Sequence, residues 1–390
     1  MAPSRYAPAT VTVTAPSPAL LRPHADDLDR LAAIGRRRRL VPMTGIDFAS
    51  NDYLGLAGSA RLAGAVRDAL ARGVAVGAGG SRLLRGNHAE HDALEAEAAA
   101  FFGSESALWF SSGFAANAAL LATLPQKGDL IVHDALVHAS AHEGMRLARA
   151  PAVKAAHNDA DAVEDAIQAW RGDGGTGTPW IAVESLYSMD GDRAPLTALA
   201  AVAERHDAML LIDEAHATGV FGPDGRGLAH ALEGRPNVVT LRTCGKALGA
   251  EGALVCGPAV VREFLVNRAR GFIFSTAPSP LMAAAVREGL RMLADEPERR
   301  ARLAALIDAA AALLAPLGVK ATGSQILPLI VGEDVAAMRL AEGLQAAGFD
   351  VRGIRPPTVA AGTARLRISL TLNVTLDDVA ALAGVLGRLR

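Results

Sequence analysis

The apolar positions of this chain follow two periods that take turns. Short continuous runs of strand length stand at 107–110, 130–132, 180–184, 209–213, 238–241 and 252–256. Stretches of helical period lie near 138–148, 160–170 and 197–206, after earlier ones at 61–72 and 89–102. In the helix over 89–102, Leu94, Ala98, Phe101 and Phe102 share one face. Strands alternating with helices of about 10–15 residues predict βαβ units and a mostly parallel sheet, an α/β fold. Two pieces precede this block: an amphipathic helix over 25–40 (Leu28, Leu31, Ile34) that runs into the arginines at 36–39, and a brief strand at 46–49. After Pro278-Ser279-Pro280 the pattern changes. A long Ala/Leu/Arg helix pair over 281–315 leads to a strand at 326–331, a helix at 335–347, a proline-rich loop at Pro356-Pro357, a strand at 365–371 and a last helix. This βαβ-like tail predicts a smaller α+β domain. The expected division is a loosely ordered arm at 1–24, an N-terminal segment at 25–50, a large domain at 51–280 and a small domain at 281–390.

Composition narrows the class. Of 390 residues 51% are hydrophobic and 21% charged, which describes a compact globular enzyme. The formal net charge is −2, with no basic excess that would suit nucleic acid. No run of about 18 apolar residues marks a membrane-spanning helix, and the first 24 residues lack the pattern of a signal peptide. Cys244 and Cys256 show no Cys-x-x-Cys spacing, so neither a zinc site nor a disulfide framework is expected. A reducing, cytoplasmic setting fits.

The chemistry concentrates in 209–252. An apolar run, Met-Leu-Leu-Ile, ends in Asp213, with Glu214, Ala215 and His216 behind it; a second ends at Thr243-Cys244-Gly245-Lys246-Ala247-Leu248-Gly249. An acid at the C-terminal end of a parallel strand lies where open α/β sheets place ligands. A lysine among glycines can reach a cofactor, and the pair suits pyridoxal 5'-phosphate (PLP): lysine for the Schiff base, acid for the pyridine nitrogen. Asp-Glu-Ala-His also occurs in helicase motors, but those need a phosphate loop G-x-x-x-x-G-K-[ST], and Gly245-Lys246 continues with Ala247. A structural aspartate beside a solvated lysine remains open for the two motifs taken alone.

Further candidates lie around that stretch. Ser112-Gly113-Phe114, between a strand and a helix, offers backbone N–H groups to a phosphate, or is an ordinary cap by Ser111 or Ser112. Thr243 could add a hydroxyl to the same anion. His138 opens a helix, where it can lie flat on a ring or face solvent. Ser188 follows a strand in a polar turn that runs through Asp190 and Asp192. Arg365 and Arg367 share one face of a strand. Arg367 suits a bidentate grip on a carboxylate, while Arg365 reads as an outward charge on an edge strand.

Taken together the motifs resemble the α-oxoamine synthases, PLP enzymes of fold type I (aspartate-aminotransferase-like). The resemblance rests on Asn51-Asp52-Tyr53-Leu54-Gly55, Ser112-Gly113-Phe114-Ala115-Ala116-Asn117, Ser188-Met189-Asp190-Gly191-Asp192, Asp213-Glu214-Ala215-His216 and Thr243 to Gly249, in order over about 45–390. Cys244 departs from the larger apolar residue usual there, a local packing change. The resemblance implies that Lys246 holds PLP and serves as base, Asp213 pairs with the ring nitrogen, and His216, supported by Ser188, meets the phenolic oxygen. It implies His138 against the ring face and Gly113, Phe114 and Thr243 at the phosphate. Arg367 and Asn51 would grip the amino acid's carboxylate; Thr358 and an arginine of 36–39, best matched by Arg37, would contact the acyl substrate. Phe274-Ser275-Thr276 resembles the segment whose Ser275 and Thr276 reach the partner's phosphate, which implies a homodimer. Ser112 to Asn117, Ala156-His157-Asn158-Asp159, 354–359 and 362–367 are most similar to the family member that joins L-alanine to a pimeloyl thioester, pimeloyl-CoA or a pimeloyl carrier protein, in biotin synthesis. Sister enzymes join glycine to acetyl-CoA or succinyl-CoA, and a catalytically silent scaffold of the same fold is a third reading.

Overall fold

Pro23 sits in the first turn of a helix Arg22–Ala33, where its fixed φ and missing N–H suit the start of a helix. This helix corrects the expectation for 25–40. It begins earlier and ends before the arginines, because Gly35 takes φ +67° and Arg36 turns to an ion pair with Asp334. The computed structural model describes residues 19–390, so the arm expected over 1–24 lies outside the described residues as far as residue 18; Ala19–Leu21 form a 3-10 turn.

A two-residue strand β1 (Ile46–Asp47) precedes the central block. That block holds β2 (Ser106–Phe110), β3 (Leu130–Asp134), β4 (Ala152–Ala155), β5 (Pro179–Glu184), β6 (Met209–Asp213), β7 (Val238–Thr243) and β8 (Ala253–Gly257), in the spatial order β2-β8-β7-β6-β5-β3-β4. The five strands from β7 to β4 are parallel, and β8 runs antiparallel to both its neighbours. The reversal has a simple cause: the 244–252 connection is shorter than the roughly dozen residues a parallel crossover needs. β4 was not anticipated, since this edge strand is mostly exposed and carries no continuous apolar run.

The inner strands read as continuous apolar runs because helices cover both faces of the sheet. Helices Gly113–Thr123, Ala139–Leu147 and Ala259–Arg268 pack with Ile131, Ala182, Leu211 and Leu241 on one face. Helices Ala160–Gly172 and Leu196–Arg205 pack with Leu130, Ile181, Leu210 and Ile212 on the other.

The C-terminal part adds β9 (Ile326–Gly332), β10 (Phe349–Asp350), β11 (Arg352–Ile354) and β12 (Ala364–Ser369). β12 is the middle strand of an antiparallel trio, β11-β12-β9, and β10 pairs in parallel with β1. One apolar cluster runs from Phe48, Tyr53 and Trp109 through Leu248 to Leu366, Leu382 and Leu386.

Beneath the C-terminal ends of β6 and β7 lies a buried ion network. Arg242 and Glu214 are each 0% exposed, and Arg242 pairs with both Glu214 and Glu233. The guanidinium stands 4.1 Å from the Phe102 ring centroid. Truncating one member of such a network leaves the others charged and unpaired. Arg242→Ala is therefore expected to cost about 3–5 kcal/mol in urea unfolding. Arg30→Ala, whose ion pair with Asp27 is exposed, should cost less than about 1 kcal/mol.

Candidate active site

The C-terminal ends of β5, β6 and β7 open into a cavity of about 360 Å³, closed on one side by the start of helix Gly113–Thr123. Asp213, Lys246, His138, His216, Gly113 and Thr243 all line it.

Asp213 is held rigidly. One carboxylate oxygen accepts the Ala215 N–H at 2.9 Å, the other the Asn117 side-chain amide at 2.9 Å. Asn117 also donates to Ser140 at 3.1 Å, and Ser140 Oγ lies 2.8 Å from His138 Nδ1. Acid and imidazole are thus oriented by one chain of hydrogen bonds. Burial pushes the Asp213 carboxyl up, and Lys246 opposes that shift. Burial likewise pulls the His138 imidazole down, so its neutral form is favoured.

A second chain starts at Lys246. Its Nζ lies 2.8 Å from His216 Nε2, and His216 Nδ1 lies 2.6 Å from the Tyr53 hydroxyl. Tyr53 gives its single proton to Asn51 Oδ1 at 2.9 Å, so its oxygen is the acceptor for His216. His216 then carries its proton on Nδ1 and presents Nε2 to the lysine. Burial, with Lys246 next, holds His216 well below the usual histidine range, in keeping with a neutral ring. Burial also lowers Lys246 to about 8, although Asp213 pulls the other way.

Arg367 closes this chain. It is buried and donates from Nε to the Ser188 carbonyl (2.6 Å), from Nη1 to Ser369 Oγ (2.6 Å) and from Nη2 to Asn51 Oδ1 (3.1 Å). Arg365 corrects the expectation of an outward charge. It too is buried and pairs with Asp190 at 2.6 Å, because β12 is a central strand and its arginine face turns onto the 188–192 loop.

At the helix start the cap reading of Ser112 holds, and the backbone leaves room for the other. Ser112 Oγ caps the helix by accepting the Ala115 N–H at 3.1 Å, and the N–H groups of Gly113 and Phe114 have no acceptor among the described residues. A Cβ at Gly113 would stand 2.5 Å from Thr243 Cγ2, so only glycine lets the two segments meet. Thr243 Oγ1 donates to the Ala215 carbonyl at 3.2 Å.

The remaining expected residues are more distant. Ser188 is buried, but it acts here through its backbone, its N–H going to Glu184 and its carbonyl to Arg367, and no hydrogen bond joins its hydroxyl to His216. Thr358 is exposed and accepts a hydrogen bond from Arg38 at 3.3 Å, whereas Arg37 meets the same region only through its carbonyl, an acceptor for Arg355. Ser275 and Thr276 lie outside the main cavity, lining a small recess beside Ser111. Sequence reasoning passed over Tyr53, Asn117, Ser140 and Glu184 as individuals. The first two stood inside motifs already singled out, and Glu184 ends an apolar strand just as Asp213 does.

A central, mostly parallel sheet with lysine and acid at its strand ends defines the class. The chain belongs to the aminotransferase class I and II family, whose model matches residues 44–386. It is 45% identical over 351 residues to the 8-amino-7-oxononanoate synthase of Burkholderia thailandensis, covering 87% of this chain and 88% of the relative. It is 44% identical over 369 residues to the 8-amino-7-oxononanoate synthase of Mycolicibacterium smegmatis, covering 93% and 94%. Among solved structures, the Francisella tularensis 8-amino-7-oxononanoate synthase superposes with a TM-score of 0.75 at 29% identity, covering 88% and 97%. A serine palmitoyltransferase from S. paucimobilis with a bound PLP–myriocin aldimine gives 0.85 at 26% identity, covering 95% and 97%.

The lowered Lys246 amine has a direct consequence. In the protein freed of ligand, Lys246 should react with an amine-selective electrophile with a midpoint near pH 8, where an ordinary lysine needs a pH above about 10. Peptide mapping of the labelled protein across pH 6–11 reads this out. A midpoint at the ordinary value would mean that burial does not control the amine.

Proposed function

We propose that this chain is a PLP-dependent acyltransferase that condenses L-alanine with a pimeloyl thioester, giving 8-amino-7-oxononanoate, carbon dioxide and free thiol. The convergence of Lys246 and Asp213 on one cavity carries the reading, and the names of the relatives supply its substrates. The residues fit PLP. Gly113 leaves a cradle that a Cβ would fill, a buried acid stands at a strand end, and a buried amine lies within the same cavity.

Bound there, PLP supplies an electron sink for negative charge developing at the amino acid's Cα. Lys246 Nζ would hold the cofactor covalently and, as a free amine, would take the Cα proton. Its lowered pKa keeps a useful fraction neutral near physiological pH. Asp213 presents its charge to the ring nitrogen, oriented by Asn117 and the Ala215 N–H. His138 covers one face of the ring. His216, fixed by Tyr53, meets the phenolic oxygen, while Ser188 orients Arg367 through its carbonyl. The N–H groups of Gly113 and Phe114, with Thr243, take the phosphate at a helix N-terminus. Arg367 and Asn51 grip the alanine carboxylate before it leaves as carbon dioxide. With two corners of its guanidinium already tied to Ser188 and Ser369, Arg367 has one pointing toward Asn51. The new bond joins alanine Cα to the acyl carbon as the C–S bond breaks. Thr358 and an arginine of 36–39, Arg37 or the Arg38 that contacts Thr358, meet the acyl chain. Ser275 and Thr276 reach the phosphate of a second subunit in a homodimer. No described helix is long and apolar enough to cross a membrane.

Two measurements test this. Lys246→Ala should retain the circular dichroism of the parent but lose turnover, and borohydride should fix no cofactor to it. In thiol-release assays at matched concentrations, L-alanine with pimeloyl-CoA should outpace glycine with acetyl-CoA or succinyl-CoA. Glycine should remain a poor substrate rather than an inert one, since one methyl group in an apolar pocket is worth about 1–3 kcal/mol. Faster reaction of a glycine pair would move the chain to a sister synthase with its cofactor chemistry unchanged.

A further inference from the structure

Glu184, the last residue of β5, is a buried carboxyl that the reaction above does not use. β5 and β6 run parallel with Glu184 directly opposite Asp213. Ala182 and Leu211, two residues earlier on each strand, pack in the same apolar cluster. The two-residue period of a strand therefore puts both carboxyls on one face of the sheet, on neighbouring strands about 4.8 Å apart.

The two acids are served very differently. Asp213 accepts two hydrogen bonds, from Asn117 and Ala215. Glu184 is 3% exposed; its Oε2 accepts one backbone N–H, from Ser188 at 3.2 Å, and its Oε1 has no partner. Below the pair is a cavity of about 20 Å³ walled by Leu120, Leu121, Val137 and Leu211. That is room for about one water, and the one counter-ion beside the pair is Lys246, in the larger cavity that both acids also line. Two carboxyls this close in an apolar setting do not both ionise. The one with more donors keeps the charge.

The groups around Glu184 point the same way. Asp213 on β6 and Asp134 at the end of β3 repel a charge there, the latter while paired to His157, whereas Lys246, from the loop after β7, and the Ser188 N–H favour one. Tyr187 on its own loop is neutral, burial having pushed its hydroxyl far up, and His138 across the cavity is held toward its neutral form. Burial is the largest influence on Glu184, followed by Asp213, and both raise it.

We infer that Glu184 is a protonated partner of Asp213, a neutral acid that keeps the pair at a single negative charge and fixes that charge on Asp213. Glu184 is thus a positioning residue acting through Asp213. Where its proton sits depends on the protein alone; only its benefit to a ring nitrogen rests on the proposed cofactor.

The experiment is infrared difference spectroscopy on the full chain without cofactor, wild type minus Glu184→Gln, at neutral pH. The expected difference is the loss of one protonated-acid C=O band. Loss of an ionised carboxylate band instead would overturn the inference. Stability against pH gives a second reading. An acid whose folded pKa is raised binds a proton in the folded state that the unfolded chain has released above about pH 4.3. Wild-type stability should therefore fall from about pH 5 upward through this group, while Glu184→Gln lacks that component. The stability of the variant relative to wild type should rise steadily across pH 5–8, and a difference independent of pH would contradict the assignment. Should Glu184→Gln fail to fold, Asp213→Asn serves. Removing the neighbouring charge should make the acid band titrate at lower pH than in wild type, and a band that does not move would sink the coupling. If these tests succeed while PLP fails to bind, the cofactor reading falls and the assignment of the proton stands.

Discussion

The arrangement of this protein turns on the withdrawal of charge from water at the C-terminal ends of β5, β6 and β7. Helices cover both faces of the sheet, so every ionisable group at those strand ends must find its partner within the protein. Consecutive residues answer in opposite directions. Asp213 turns to the cavity and to Asn117, while Glu214 turns away and meets Arg242. The alternation of a strand thus separates an ion network that stabilises the sheet from a carboxylate left for a ligand. Arg242 and Thr243 repeat the division one strand over, the first buried in the network and the second beside Gly113.

Hydrogen bonds carry the site's order outward from there. Lys246, His216, Tyr53, Asn51 and Arg367 form one continuous path. That path joins a loop after β7, a turn after β6, a segment following β1 and the middle strand of the C-terminal sheet. The amine and the guanidinium are therefore not set independently. The direction of each bond follows once Tyr53 gives its only proton to Asn51, and that fixes which histidine nitrogen faces the lysine.

Much of the sheet was legible in the sequence, because buried parallel strands are long apolar runs and those runs end where the chemistry begins. Asp213 and Lys246 could be found in this way, each from its own neighbourhood. Glu184 could not be told from a polar turn, since its meaning depends on the strand that lies beside it. Arg365 was misjudged for a similar reason. An arginine alternating with apolar residues looks the same on an edge strand as on a central one, and only the pairing of β12 with both β9 and β11 settles its burial. The reversal of β8 was written in the short connection before it, a signal of loop length that apolar periodicity does not carry. Arg38 meeting Thr358 joins positions far apart in sequence, which no local pattern reports.

The 188–192 turn shows how these long-range contacts act together. Arg365 and Arg367 hold it from β12, through Asp190 and the Ser188 carbonyl. From the sheet side His157 holds it, bridging Asp134 at 2.9 Å and Asp192 at 2.9 Å. Burial lowers the His157 pKa, but the two carboxylates outweigh it and carry the ring up to about 10, so His157 is a cation at neutral pH. The turn therefore lies between one positive charge on the large sheet and two on the small one. Its own acids, Asp190 and Asp192, match that distribution, and its backbone is left to orient Arg367. Because Ser188 also gives its N–H to Glu184, a single residue links Arg367 to the two carboxyls at the strand ends.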